Sequence, residues 1–416
     1  MKEVIVISRK ITLPGKRTKA YELLELTAIF GEFPTTLLPR LFDSESYTRK
    51  VVSSLKSGGL MKTYYADGLR GLRPTTTAKR LLLANNPERF FLCMSENADT
   101  NHVHGDTHRR ERLHRIAEAT LTMRNAGASI FRDEHPSIFS PTDKGGEPLQ
   151  SSAFYSSFEM REYGEELFKT KGARFVGVLL TPQDVFVTYN LGNHLIRWGY
   201  RAEMRTKATI SDILCHKKTP SEYDASSIKG LLLANSMELA IEILTKRTKH
   251  YFLLDGNYEN FYFVTNDEKG ELLLRFLCDS DLRNQLDELL ASDLCPADHH
   301  YLVENDAMTE DGIPVLFAYT CDLYRIKNFN NGLVKHEIKG IIYCFDYQSE
   351  VLRECCSELV EFETLSYEKV KKSILFKHSI ATFRNNLCFF SKIICWFYER
   401  QVAYLNVSVC IPMRHF

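Results

Sequence analysis

Apolar positions recur at helical spacing from Thr18 to Phe30, where Tyr21, Leu24, Thr27/Ala28 and the neighbouring Leu23, Leu26 and Phe30 follow a threonine able to cap a helix. Gly31 ends that helix. Pro34 suits the first turn of a short second helix over Thr35 to Phe42, and Asp43/Ser44 can cap a third that turns Val51, Val52 and Leu55 inward before Gly58-Gly59 closes it. Leu60 to Tyr65 and Leu69 to Arg73 read as two short strands around the tight turn Asp67-Gly68. Another helix follows over Thr77 to Asn85.

A polar stretch over residues 91 to 108 reads as a linker and carries His102, His104 and His108; no matching ligand set surrounds them, and loop histidines are usually solvated. His108 to Asn125 is amphipathic, with Leu113, Ile116, Ala117, Ala119/Thr120 and Met123 on the apolar side and Arg109-Arg110-Glu111-Arg112 opening the other. From Ser151 onward strands and helices alternate. The pattern predicts a helix over Phe158 to Thr170, strands at Arg174 to Leu180, Asp184 to Asn190 and His194 to Met204, and a helix over Leu231 to Lys246. Strands at Tyr251 to Leu254 and Asn260 to Thr265 follow, then a long helix over Glu271 to Ala291, strands at Val315 to Tyr324 and Ile338 to Phe345, and a helix over Ser349 to Glu361. The expected class is α+β: an N-terminal helical module over 15–90, the linker, a mixed α/β region over 109–230, and a further α/β region of unknown role over 231–375. The tail, 376–416, crowds Cys388, Phe389, Phe390, Ile393, Ile394, Cys395, Trp396 and Phe397 together. A closing helix, a poorly ordered extension and a frame-shifted reading all stay open for it.

Length fits two or three domains, and the apolar and charged fractions, 44% and 25%, are those of an ordinary globular protein. Charge changes the picture more. The net is zero, yet the first 90 residues hold 16 Lys/Arg against 8 Asp/Glu, which suggests that this segment meets a polyanion. A solvated basic face is the plainer alternative. The 11 cysteines are scattered with no CxxC pair, so neither a zinc module nor a disulfide framework is expected. The start is too interrupted by charge for a signal peptide and no run is long enough to span a membrane, so a cytoplasmic protein with reduced thiols is expected.

Three helices, a hairpin and a helix within about 70 residues is the winged-helix plan, whose third helix enters the major groove of double-stranded DNA. The expected contact residues are Ser46, Tyr47, Arg49 and Lys50 on that helix, with Lys62, Arg70 and Arg73 on the wing, because phosphate contacts need cations and polar side chains can read base edges. The basic start of the helix at His108 either extends this surface or is a solvated charged face. A winged helix used only for protein contacts stands beside this reading.

Further on, Thr181-Pro182-Gln183-Asp184 and Ala202-Glu203-Met204-Arg205-Thr206-Lys207 place Asp184 and Glu203 on neighbouring strands of an expected hairpin, with Glu159 and Glu162 upstream. Paired carboxylates beside a cation are what Mg²⁺- or Mn²⁺-dependent phosphodiester cleavage requires, with Lys207 as the lysine candidate. Asp followed by Glu-x-Lys marks the restriction-endonuclease-like core. Here Gln183 interrupts the Pro-Asp step and Arg205 occupies the lysine position, and arginine does not act as a base. In the plainer reading Asp184 closes a turn and Glu203 pairs with Arg201 or Arg205.

With the helical module, the helix opening His108-Arg109-Arg110 and the Pro182-x-Asp184 to Glu203 segment in that order, residues 15 to 215 resemble the replication-relaxation family of plasmids and integrative mobile elements of Gram-positive bacteria. The resemblance implies a DNA-binding accessory protein acting in replication, DNA relaxation or transfer, with a nuclease-like second domain. By that resemblance Asp184 and Glu203 fall on the family's acidic hairpin positions. Double-stranded DNA is the implied partner, joined by other mobile-element proteins or a second copy of the chain, with no cofactor unless the hairpin cuts. A metal-dependent nicking enzyme and a ligand-responsive transcription regulator are the competing readings. No Walker loop, dinucleotide fingerprint or nucleophile elbow is present.

Overall fold

The computed structural model describes residues 11–94, 106–139, 149–160, 174–216, 223–224, 226–245, 251–252, 254 and 256–381. Its class is mixed α+β, as the alternation of elements predicts. The N-terminal part runs α1 (Lys19–Phe30), β1 (Phe33–Pro34), a 3₁₀ helix (Thr35–Arg40), α2 (Glu45–Ser57), β2 (Met61–Ala66), β3 (Leu69–Pro74), α3 (Thr76–Asn85) and α4 (Pro87–Met94). Local chemistry sets the ends. Thr18 and Ser44 accept the amides of Tyr21 and Tyr47, satisfying donors that a helix start leaves open. Gly31 takes a positive φ of 76° past the end of α1. Asp67 and Gly68 both lie at positive φ, 53° and 77°, as a two-residue hairpin turn between right-twisted strands requires. The two-residue strand β1 carries no alternation that the sequence could show. It pairs Phe33 with Leu72 and Pro34 with Gly71 and completes an antiparallel sheet of order β1-β3-β2.

The stretch expected to be linker starts helically, since α4 runs on to Met94; His102 and His104 lie outside the described residues. Helix α5 (Thr107–Asn125) joins the two halves of the structure, packing on α1, β1 and β3 and on the central sheet. That sheet comprises β4 (Ala153–Ser156), β5 (Phe175–Leu180), β6 (Val185–Gly192), β7 (Ile228–Ala234) and β8 (Phe261–Thr265), in the order β4-β5-β6-β7-β8. The first three strands form an antiparallel meander and the last three run parallel. Every residue of β5 is buried and nearly every residue of β6 and β7, which explains why these strands read as apolar runs without alternation.

Two expectations fail here. His194 to Met204 is not a third hairpin strand: after Trp198-Gly199 the chain enters α6 (Tyr200–His216), whose inward stripe is Glu203, Thr206, Ile210, Ile213 and Leu214. Leu231 to Lys246 is not one helix, because Leu231 to Ala234 complete β7 and only Glu238–Thr245 form α7. A short all-apolar run fits a buried strand and a buried helix equally, and the neighbouring strands decide.

Beyond β8 come α8 (Glu268–Cys278) and α9 (Ser280–Leu290), where one long helix was expected. Asp279 breaks them: its backbone is extended and its carboxylate caps α9 at Leu282 N, 3.0 Å. The second sheet, of order β13-β12-β11-β10-β9, contains β9 (Cys295–Pro296), β10 (Ala307–Met308), β11 (Pro314–Phe317), β12 (Gly340–Phe345) and β13 (Val360–Leu365), with β11 and β12 parallel. Helix α10 (Leu323–His336) connects β11 to β12, and α11 (Asp346–Cys355) lies between β12 and β13. Asp322 caps α10 and also receives Asn260 Nδ2 at 2.7 Å and the amide of Phe261, which ties the start of β8 to this sheet.

The chain divides into two compact units, one holding everything to Cys344 together with Gln348–Glu363, the other Phe345–Tyr347 and the chain from Thr364. In the smaller unit α12 (Tyr367–Ala381) begins where the amide of Tyr367 donates to Asp346, and the rings of Phe345, Tyr347 and Tyr367 cluster. The rest of the apolar tail lies outside the described residues. Among the described residues no helix is long and apolar enough to cross a membrane.

Candidate functional site

Helix α2 buries Thr48, Val51 and Leu55 and turns Ser46, Tyr47, Arg49, Lys50, Ser53, Ser54 and Lys56 outward. Arg49 Nη2 lies 2.5 Å from Glu45, with both side chains more than three-quarters exposed. Such a solvated pair adds little stability and exchanges readily for another anion. On the hairpin, Lys62, Tyr65 and Arg70 are exposed. Six of the seven expected contact residues therefore present side chains to solvent on α2 or on the hairpin.

Arg73 does not. It is buried beneath the hairpin, with Nε 2.7 Å from Glu32 Oε2. Arg110, expected to extend the basic surface from α5, is fully buried on the same carboxylate, its Nη2 2.7 Å from Glu32 Oε1; His114 Nε2 lies 2.8 Å from that oxygen. Arg110 also donates to the carbonyls of Ala66 and Leu69, which flank the hairpin turn, and Thr107 bonds Asp67 within it. The ring of Tyr64 covers both guanidinium groups, at 3.9 Å and 4.7 Å. Burial alone would raise the Glu32 carboxyl, but hydrogen bonds from His114, Arg110 and Arg73 outweigh it and hold the pKa down to about 2. Opposite Glu32 stands Gly71, where a Cβ would lie 2.2 Å from Glu32 Oε1. Gly71→Ala is thus expected to force the carboxylate off its partners and lower stability by about 2 kcal/mol or more, read as a shift in urea midpoint with unchanged slope.

Part of the N-terminal basic excess is consequently internal. Besides Arg73, Arg40 binds Glu271 and Thr122, and Arg89 binds Glu25, Asp133 and Glu134. What faces solvent is a smaller set on α2 and the hairpin, together with Lys16, Arg17 and Arg80.

The acidic pair is not brought together as a hairpin would require. Asp184 sits at the foot of β6, nearly buried, 2.7 Å from Lys229 Nζ. Glu203 lies fully buried on α6 and accepts the amide of Arg174 at 2.8 Å and the phenol of Tyr189 at 3.0 Å. Tyr189 is five residues along β6 from Asp184, roughly 16 Å at the strand rise. Lys207, one turn beyond Glu203, donates to the Asn257 carbonyl at 2.9 Å, and burial lowers its pKa. Tyr189 Oη also meets Tyr258 Oη at 2.9 Å, and burial raises its pKa well above the usual phenol value. Glu203 therefore works as a fastener between α6 and the sheet, a role that a single sequence does not signal for a carboxylate. Glu159 lies 3.9 Å from His135, and Glu162 is outside the described residues.

His108 is exposed beside Glu111. Cysteines among the described residues are free thiols, and no group of three His, Cys, Asp or Glu among those residues could hold a metal ion. Comparison with protein-family models, with curated proteins and with solved structures finds no match to this chain.

Proposed function

We propose that this chain is a DNA-binding accessory protein of a plasmid or integrative mobile element, acting in replication, DNA relaxation or transfer. In this reading the N-terminal module is a winged helix: α2 enters the major groove and the β2–β3 hairpin lies along the backbone. The observation that carries the reading is the exposed cationic and polar face of α2, continued by Lys62 and Arg70 on a hairpin held rigid from beneath by Arg110. The resemblance of residues 15 to 215 to the replication-relaxation family rests on the same order of elements and points the same way. Helix α5 and the mixed sheet are compatible with the nuclease-like second domain that the resemblance implies, used here for binding or for assembly with a second copy or another mobile-element protein. The test is binding of labelled duplex DNA at 50 and 200 mM salt. Affinity falling steeply with salt is expected, since released counterions drive such binding; salt-insensitive or absent binding overturns the reading.

The competing nuclease reading needs Asp184 and Glu203 at one metal ion, and their separate partners disfavour it. Incubated with supercoiled plasmid and Mg²⁺ or Mn²⁺, the purified protein is expected to show no nicking that Asp184→Asn removes. Nicking lost in that variant would move the protein among metal-dependent nucleases.

A further inference from the structure

The first turns of α6 carry a second basic surface, separate from the α2 face. Arg197, Arg201 and Arg205 are exposed, and Tyr200, Met204 and Tyr251 leave 45%, 43% and 45% of their surface in solvent. Arg201 and Arg205, like Tyr200 and Met204, are four residues apart and so share one side of the helix. Arg197 pairs with Tyr251 through an isolated antiparallel bridge, and Phe252 N donates to Ile196 O at 2.9 Å, which sets these two side chains next to each other. The acidic residues of α6 do not neutralise this face: Glu203 is buried, and Asp212 lies two turns beyond Arg205. No ion pair joins the three arginines to an acidic partner among the described residues.

The face is also held still. Trp198 packs edge-on against Tyr189 and Phe252, Glu203 fastens the helix to β6 and to Arg174 just before β5, and Lys207 ties it to Asn257. A solvated helix face ordinarily mixes both charge signs and avoids large apolar side chains. Here unpaired guanidinium groups alternate with exposed phenol rings on a rigid support, which is the combination that tracks a phosphate backbone while stacking on unpaired bases. Duplex DNA hides its base faces, so the tyrosines select for a single strand.

We propose that the face formed by Arg197, Tyr200, Arg201, Met204, Arg205 and Tyr251 binds single-stranded DNA. The inference does not rest on duplex recognition by α2, because the two surfaces share no residue.

The experiment is fluorescence anisotropy of labelled dT20, which cannot form a duplex, with the full chain. Wild-type protein is expected to bind in a salt-sensitive manner. The triple variant Arg197→Ala, Arg201→Ala, Arg205→Ala should lose about tenfold or more in affinity, with the salt slope reduced by about 2. The double variant Tyr200→Ala, Tyr251→Ala, with every charge kept, should lose about tenfold as well. Arg49→Ala with Lys50→Ala should leave dT20 binding unchanged, so failure here and failure of the duplex reading are separable. All substituted side chains are exposed, and a thermal melt matching wild type verifies each fold. Absent dT20 binding overturns the proposal, as does unchanged affinity in the triple variant. Loss in the arginine variant alone also overturns it, because the face would then sense charge without touching bases.

Discussion

Glu32→Gln is expected to destabilise the protein by about 3–5 kcal/mol, the largest effect of any single substitution considered, although Glu32 is buried beneath the hairpin and is not among the exposed residues proposed to meet DNA. The neutral amide would leave Arg73 and Arg110 as buried cations without a carboxylate, and an amide has one acceptor where the carboxylate offers two. The same arrangement gives a pH dependence. Glu32 is held at about 2 against an ordinary value of 4.5, so its contribution, roughly 3 kcal/mol, is fully present above pH 4.5 and is lost as pH falls toward 2. Urea melts at stepped acid pH should therefore show wild type losing stability through that window and Glu32→Gln losing correspondingly less. Equal acid sensitivity in the two proteins would show that Glu32 does not carry the effect.

The second large effect concerns binding. Arg49→Ala, Lys50→Ala, Lys62→Ala and Arg70→Ala combined are expected to weaken duplex binding on the order of 100-fold and to cut the salt slope by about 3 to 4, close to one per lost phosphate contact. Arg73 separates this from a trivial loss of charge. Arg73→Ala removes one more cation from the same hairpin, but one spent on Glu32, so it should act through stability and leave the salt slope of the folded protein nearly unchanged. A salt slope unmoved by the quadruple variant would remove α2 and the hairpin as the contact surface.

These two results bracket what the sequence makes legible. The N-terminal elements carry strong local signals, namely a capping Thr18, a capping Ser44, Gly31 and the Asp67-Gly68 turn, and all four act in the structure as their chemistry dictates. The short strand β1 is invisible because two residues, Phe33-Pro34, show no period. Charged side chains mislead in a consistent direction. Arg73, Arg110 and Glu203 read as surface groups since charges are seldom buried, and only their partners, 41, 78 and 14 residues away along the chain, make burial possible. Strand against helix is ambiguous where apolar runs are short: Leu195-Ile196 and Trp198 suggest a strand, whereas the spacing of Glu203, Thr206, Ile210 and Ile213 holds the signal for α6. Likewise Val315 to Tyr324 reads as one strand, yet the strand runs only over Pro314–Phe317 and Asp322 starts a helix. The run Asp279-Ser280-Asp281 is a cap signature that a long hydrophobic period conceals.

Helix α5 is 19 residues long, about 28 Å, with its first turns pinned to the β2–β3 turn through Thr107 and Arg110 and its last turn joined to α8 through Asn125 and Glu271. A spar fastened at both ends fixes angle as well as distance. A nucleic acid seated on α2 would therefore meet anything bound at α6 in one rotational phase. Moving two such sites apart by a whole duplex turn of about 10.5 base pairs preserves their alignment, whereas half a turn sets them on opposite sides of the helix axis.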